Sequence, residues 1–391
     1  MTMNGMPSQS TRRYELDWLR VFAVLMVFVY HSAHFFDVDD WSVKNATTYT
    51  SLSWLMALLA QWGMPLIFLI SGASLFFATR KANAARFLGD KVQRLLVPLL
   101  VGVFVFSPFQ VYLERLSHGQ FEGSLWQFLP HYFDGIYVPG GDGNFAFHGM
   151  HLWYLLVLFL LTLLFMPLFW WFRDGTGARV LRRLGDVLAL PGAIVLLAVP
   201  TIVLQNITNA GALGGTFTVG GGWRPVQYLW FFLGGYLILS HQGLQGRIIQ
   251  ARWVCLGLTA LLAILPLVLH AGPGDHPDIT AWPGLLAILG FAMKHLGFAN
   301  GFLAYTGEAV LPFYILHQNV LLWVGFFVVN WAVPDLAKYL IIATCSLLIV
   351  MLLFEYLVRR FNIILRFLFG MRPVHPVPLP KDLSPATQPG G

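Results

Sequence analysis

Arg20 and His31 stand eleven residues apart in a stretch, 16–36, that is otherwise nearly apolar. A guanidinium inside a bilayer costs roughly 2.5–3.5 kcal/mol even on the lenient insertion scale, so an ionisable residue there is a functional candidate. Eleven residues make about three helical turns, which puts both side chains on one face, roughly 16 Å apart along the axis. One helix face then carries a fixed positive charge near one end and a titratable base near the other. A neutral imidazole can take a proton from a hydroxyl and hand it on, which is general-base chemistry. Asp17 precedes Arg20 by three residues and is spaced to pair with it. That pairing alone would explain Arg20 as a charge snorkelling to the interface, but it leaves His31 unexplained.

Further histidines are expected at the level of His31. His34 follows it by one turn. His148 and His151 stand at the entrance of a later apolar run in FHGMHLWYL, beside Trp153. Glu308 and His317 lie nine residues apart in GEAVLPFYILHQN, which sets His317 about 13 Å further along its helix. The bland reading of His148 and His151 is an interfacial pair beside a Trp/Tyr belt. A metal held by His31, His34, His148 and His151 is the sharper competitor. Helical ligands usually come at i, i+4 or with a nearby carboxylate, and no cysteine adjoins them, so no metal is expected.

The elements that position these residues must be membrane helices. The chain is 57% hydrophobic and 11% charged, against about 25% charged in a soluble domain. Runs of about 20 apolar residues each span a bilayer. Ten are expected, at 16–36, 51–78, 94–113, 150–172, 187–205, 225–241, 253–270, 282–302, 309–331 and 338–358. With both termini cytoplasmic, 19 of the 24 Lys and Arg fall on the inner side, as the positive-inside rule requires. The net charge of +6 reports that inner belt and gives no reason to expect a nucleic-acid partner. The first span is too long for a cleaved signal peptide and carries Arg20. Cys255 and Cys345 fall within expected helices, so a structural disulfide is not expected. The organisation is thus a cytoplasmic segment 1–15, a ten-span domain 16–358, and a basic then proline-rich cytoplasmic tail 359–391.

Between the second and third spans, Arg80, Lys81, Arg86, Lys91 and Arg94 crowd an inner segment. They suit either anionic lipid heads or a phosphate-bearing cytosolic donor. On the outer side, 114–149 is rich in aromatics and acids, a composition that suits contacts to substrate. The Gly-rich segment 211–222 joins two spans and lacks a nucleotide-binding context.

RVFAVLMVFVYH, with Arg20, ten residues and then His31, resembles the Arg-x10-His pattern of the membrane acyltransferase-3 family. FLISGASLFF, with Ser71 and Gly72, resembles that family's Ser-Gly-Phe element, although Ala73 replaces the aromatic. DKVQRLLVPLL resembles its Arg-x-x-Arg element, with Lys91 in the first position and Arg94 in the second. HLWYL and LPFYILHQN match its habits at the fourth and ninth spans. The resemblance covers most of residues 12–330, and two stretches look most like the branch that succinylates periplasmic glucans. It implies an enzyme of the bacterial inner membrane that moves an acetyl or succinyl group from cytosolic acyl-CoA to a hydroxyl of an extracytoplasmic glycan. Acyl-CoA would be a co-substrate, with no bound cofactor, and other glycan-synthesis proteins would be possible partners. By the resemblance His31 is the base, Arg20 helps hold the donor, and Lys91, Arg94, Arg86, Ser71 and Gly72 lie on the donor side. Lys91 offers a point charge where the family carries a bidentate fork.

The active cleft is expected between spans 1, 4 and 9. Asp17, His34, His148, His151, Trp153, Glu308 and His317 would support it or face the acceptor. A succinyl group would want a basic residue near His31, for which Arg224 is the candidate. Two other classes stay open. One is a proton-coupled transporter with Arg20, His31, Glu308 and His317 as a relay and with Pro65, Pro98, Pro108 and Pro312 interrupting its helices. The other is a non-catalytic scaffold for glycan-synthesis enzymes.

Overall fold

The computed structural model describes residues 12–138, 140–209, 225–268, 281–360 and 363–371. Among them the architecture is helical throughout. Helix α1 runs Tyr14–Ala33 and α2 Thr50–Lys81. α3 is one continuous helix, Ala84–Ser117, and α4 is Met150–Trp171. Then come α5 Gly175–Leu188, α6 Ala193–Leu204, α7 Val226–Ser240 and α8 Gln242–Val268. α9 Ala281–His295, α10 Gly301–Val328 and α11 Asp335–Arg359 complete the bundle. Seven of these, α1 to α4, α8, α10 and α11, are long and apolar enough to cross a membrane. The expected spans at 187–205, 225–241 and 282–302 fall on the shorter α6, α7 and α9. The fifteen described residues of α9 make about 22 Å of helix, less than the roughly 30 Å hydrocarbon core. Arg224, the segment 211–222 and the tail from 372 lie outside the described residues.

The four prolines do not break their helices. Pro65 and Pro312 sit inside α2 and α10. Pro98 and Pro108 each follow a widened turn of α3, at Val92–Leu96 and Gly102–Phe106. Proline lacks an N–H and its ring presses on the carbonyl four residues back. One extra residue in the preceding turn makes the room.

Helix α1 packs against α2, α9, α10 and α11, while Phe22, Leu25 and Val29 stay exposed on its outer stripe. α2 meets α7 backbone to backbone. A Cβ on Gly72 would stand 1.8 Å from the Phe232 carbonyl oxygen, and one on Gly235 would stand 1.9 Å from the Leu69 oxygen. Ala73, fully buried, lies at the same crossing. Lipid is as apolar as leucine, so membrane helices associate by such close approach of small residues.

The two ends of the bundle differ. At the basic end, Arg13 reaches Gln245 at 3.0 Å, and Glu308 binds Arg359 at 3.1 Å and Arg366 at 3.0 Å. At the far end, the segment between α3 and α4 folds over the helix tips. Arg115, 4% exposed, donates to Asn144 Oδ1 at 2.9 Å, Gln120 Oε1 at 2.6 Å and the Gly143 carbonyl at 2.8 Å. Tyr132 donates to the Val103 carbonyl at 2.7 Å.

Gly72→Ala should lower the stability of the detergent-purified protein by about 1–3 kcal/mol through overpacking, read as a fall in melting temperature. Gly89→Ala, whose Cβ would meet nothing within 4 Å, should be neutral or stabilising by up to about 1 kcal/mol.

Candidate active site

The local sequence decides which way each functional side chain faces. Asp17, Arg20, Val24 and His31 share the inner face of α1 through the helical repeat. Arg20 Nη1 donates to Asp17 Oδ1 at 2.6 Å, and its Nη2 donates to the Ser74 hydroxyl of α2. Ser71, one turn earlier on α2, shares a hydrogen with the Tyr154 hydroxyl of α4 at 2.6 Å.

These groups open onto a cavity of about 290 Å3 at the basic end, walled by α1, α2, α3, α4 and α10. Arg12, Arg20, Lys91 and Arg94 supply its positive charge, and Ile67, Leu155, Leu158 and Leu311 its apolar walls. Lys91 also stands over the Phe87 ring at 5.2 Å. Tyr154 and Tyr314 line its deep part. The cleft expected between spans 1, 4 and 9 is thus enclosed by the second and third spans as well.

A second cavity, of about 430 Å3, opens at the far end. His31, His148, His151, Trp153 and Gln318 line it together with Trp41, Tyr137, Asp40 and Glu114. Glu114 is held by Ser42 at 2.8 Å and by Tyr137 at 3.0 Å. No Lys or Arg is among the described residues that line this cavity.

A single layer of rings separates the two cavities. Tyr314, on the basic side, donates to the His151 carbonyl at 2.5 Å, and the two rings are 5.7 Å apart. His31 Nδ1 lies 3.0 Å from His317 Nε2 with the rings parallel to within 4°. His317 Nδ1 faces the Tyr314 carbonyl at 2.8 Å and the Phe313 carbonyl at 3.3 Å. His151 Nε2 faces the Tyr314 and Ile315 carbonyls at 3.0 and 3.2 Å, and its Nδ1 meets Gln110 Nε2 at 3.2 Å. Carbonyl oxygens only accept, so His151 carries its hydrogen on Nε2 and takes one from Gln110 on Nδ1. Three histidines from α1, α4 and α10 therefore meet where the outer cavity ends.

The remaining residues singled out in the sequence divide. His34 lies outside this cluster, with Nδ1 2.6 Å from Asp37 Oδ2 and its ring stacked on Trp41 at 4.7 Å. Burial pushes the Asp37 carboxyl up, but His34 and Lys44 outweigh it and hold it below its ordinary value. His34, Asp37 and Asp39 bring ligand atoms close enough for a metal ion. Lys44 Nζ already sits 2.8 Å from Asp37 Oδ1, however, and a cation there would face that ammonium. Arg86 is exposed and does not line the basic cavity. Gly72 faces Phe232 and serves the α2–α7 crossing. Glu308 is tied to Arg359 and Arg366 at the basic end, about 13 Å of helix from His317, and so stands apart from the histidines. Tyr154, Tyr314, Ser74 and Gln110 were not singled out. The available signal was a tyrosine three residues from a histidine in both HLWYL and FYILH.

Residues 13–357 match the acyltransferase domain family. The chain belongs to this acyltransferase-3 family. It is also 25% identical over 401 residues to glucans biosynthesis protein C of Salmonella paratyphi A, covering 95% of this chain and 97% of that protein. The namesakes from Salmonella agona and Salmonella enteritidis match to the same extent. No solved structure matches the chain. The protein is a multi-pass membrane acyltransferase.

Burial holds the His148 imidazole down to about 4. An unfolded histidine takes up a proton near 6.5, so from about 6.5 down to about 4 the unfolded state binds more protons and stability falls with pH. His148→Gln should flatten that part of the profile, measured as melting temperature in detergent between pH 7 and pH 4.5. An unchanged slope would contradict the buried, neutral placement of His148.

Proposed function

We propose that this acyltransferase moves a short acyl group from cytosolic acyl-CoA to a hydroxyl of an uncharged extracytoplasmic glycan, with His31 as general base. The observation that carries the reading is the pair of cavities ending on opposite sides of one layer of rings. The basic cavity suits the thioester arm. Its volume of about 290 Å3 stands at the low end for drug-sized ligands, roughly 300–1,000 Å3, so it holds the arm and leaves the nucleotide outside. Arg12, Lys91 and Arg94 at this cavity suit the nucleotide's phosphates. An extended pantetheine arm, on the order of 15–20 Å by extended-chain geometry, matches the roughly 16 Å of helix between Arg20 and His31.

In this reading ten segments traverse or enter the inner membrane, with α6, α7 and α9 as short members and both termini cytoplasmic. The distribution of Lys and Arg favours that orientation. The outer cavity suits a sugar: Trp41, Trp153 and Tyr137 offer apolar faces, and Asp40 and Glu114 accept hydroxyl hydrogens. Its two carboxylates and lack of lining Lys or Arg among the described residues disfavour an anionic acceptor. The name of the relatives, glucans biosynthesis protein C, agrees with a glucan. An acetyl donor needs no cation beside His31, and among the described residues lining the outer cavity there is none to meet a succinyl carboxylate.

The acceptor hydroxyl gives its proton to His31 as its oxygen bonds to the thioester carbon. The carbon–sulfur bond breaks, its electron pair goes to sulfur, and the thiolate takes the proton from His31 to leave as CoA. Tyr154 and Tyr314 must shift for the acyl group to reach His31.

The test is CoA release by purified protein given acetyl-CoA or succinyl-CoA with a neutral glucan. His31→Ala should lower turnover by about 10²–10⁴-fold, the usual worth of a general base. Arg20→Ala should raise the KM for donor. Turnover unchanged in His31→Ala would overturn the role of His31.

A further inference from the structure

We infer that His317 is a positioning residue that fixes the tautomer of His31 and must itself stay neutral to do so. The inference rests on the reading of His31 as base and adds the group that makes it one. The hydrogen-bond geometry leaves one consistent assignment. His317 Nδ1 faces only carbonyl oxygens, those of Tyr314 and Phe313, at 2.8 and 3.3 Å, so it carries a hydrogen. A neutral imidazole has one N–H, and His317 Nε2 is then a lone pair. That lone pair lies 3.0 Å from His31 Nδ1, so His31 donates from Nδ1. His31 Nε2 is left as the basic nitrogen on a ring that lines the outer cavity.

A protonated His317 would reverse this order. Its Nε2–H would point at His31 Nδ1, force the His31 hydrogen onto Nε2, and remove the lone pair that takes the acceptor's proton. The surroundings offer a charged His317 no counter-ion. It is fully buried, stacked on Phe313 at 3° and met edge-on by Phe28. The titratable side chains around it are His31 of α1, His151 of α4 and Tyr314 of its own α10, and none is a carboxylate. In the Ser-His-Asp triad an anion holds the histidine. Here a backbone carbonyl, a neutral imidazole and the catalytic imidazole form the chain, with no charge buried in the membrane between turnovers. When His31 takes a proton, its Nδ1–H still has the His317 lone pair to donate to.

The experiment pairs two variants with a readout that needs no turnover. In His317→Gln, the amide oxygen can replace Nε2 as acceptor, whereas His317→Phe keeps the volume and removes the acceptor. Nitrogen-15 spectra of histidine-labelled protein, with His31 identified by its loss in His31→Ala, should show His31 protonated on Nδ1 in wild type and His317→Gln. In His317→Phe they should show a mixture or the Nε2–H form. Turnover should follow: His317→Gln within about tenfold of wild type, His317→Phe down by 10²–10⁴-fold in kcat with KM for donor and acceptor little changed. The wrong tautomer in the triad costs about 10⁴. An Nε2–H tautomer of His31 in wild type, or full turnover in His317→Phe, would overturn the inference. A wild-type protein with the Nδ1–H tautomer and no transfer to any glucan would count against the proposed reaction and leave the tautomer assignment standing.

Discussion

Polar side chains persist at membrane depth only where protein or water surrounds them, and the arrangement of this bundle follows from that. Arg20 is satisfied by Asp17 and Ser74, and His317 by two carbonyls and His31. Each polar group hands its requirement to a neighbour on another helix, so α1, α2, α4 and α10 are held in register. The close α2–α7 crossing at Gly72 and Gly235 brings α2 to where Ser71 and Ser74 can serve. The chemistry is therefore assembled by the same contacts that hold the helices together.

A second constraint is the thickness to be crossed. Two cavities enter from opposite ends, and Tyr314 and His151 stand 5.7 Å apart between them. A continuous polar channel would leak protons and ions. The contact of these rings divides the two cavities and leaves one short step for an acyl group. The tyrosines face the basic cavity and the histidines the far one, which gives the layer a donor side and an acceptor side.

Much of this was legible in the sequence. Arg20 and His31 on one face follow from helical period alone, and the apolar runs place nearly every helix. Pairing across helices was not legible, because spacing within one helix says nothing of the partner's rotation. Nothing in GEAVLPFYILHQN distinguishes His317, which meets His31, from Glu308, which is tied to two arginines at the basic end. Gly72 reads as part of a motif, yet its lack of a side chain serves a helix crossing. The prolines read as breaks, but a widened turn absorbs them in α3. The described lengths of α6, α7 and α9 fall short of the bilayer core, and helices packed against longer neighbours need not match it.

In the proposed reaction donor and acceptor approach His31 from opposite faces. The direct measurement is acyl transfer in proteoliposomes of known protein orientation, with acyl-CoA and glucan confined to chosen sides. Transfer is expected only when acyl-CoA is on the Lys91 and Arg94 face and glucan on the other. Equal transfer with both on one face would contradict it.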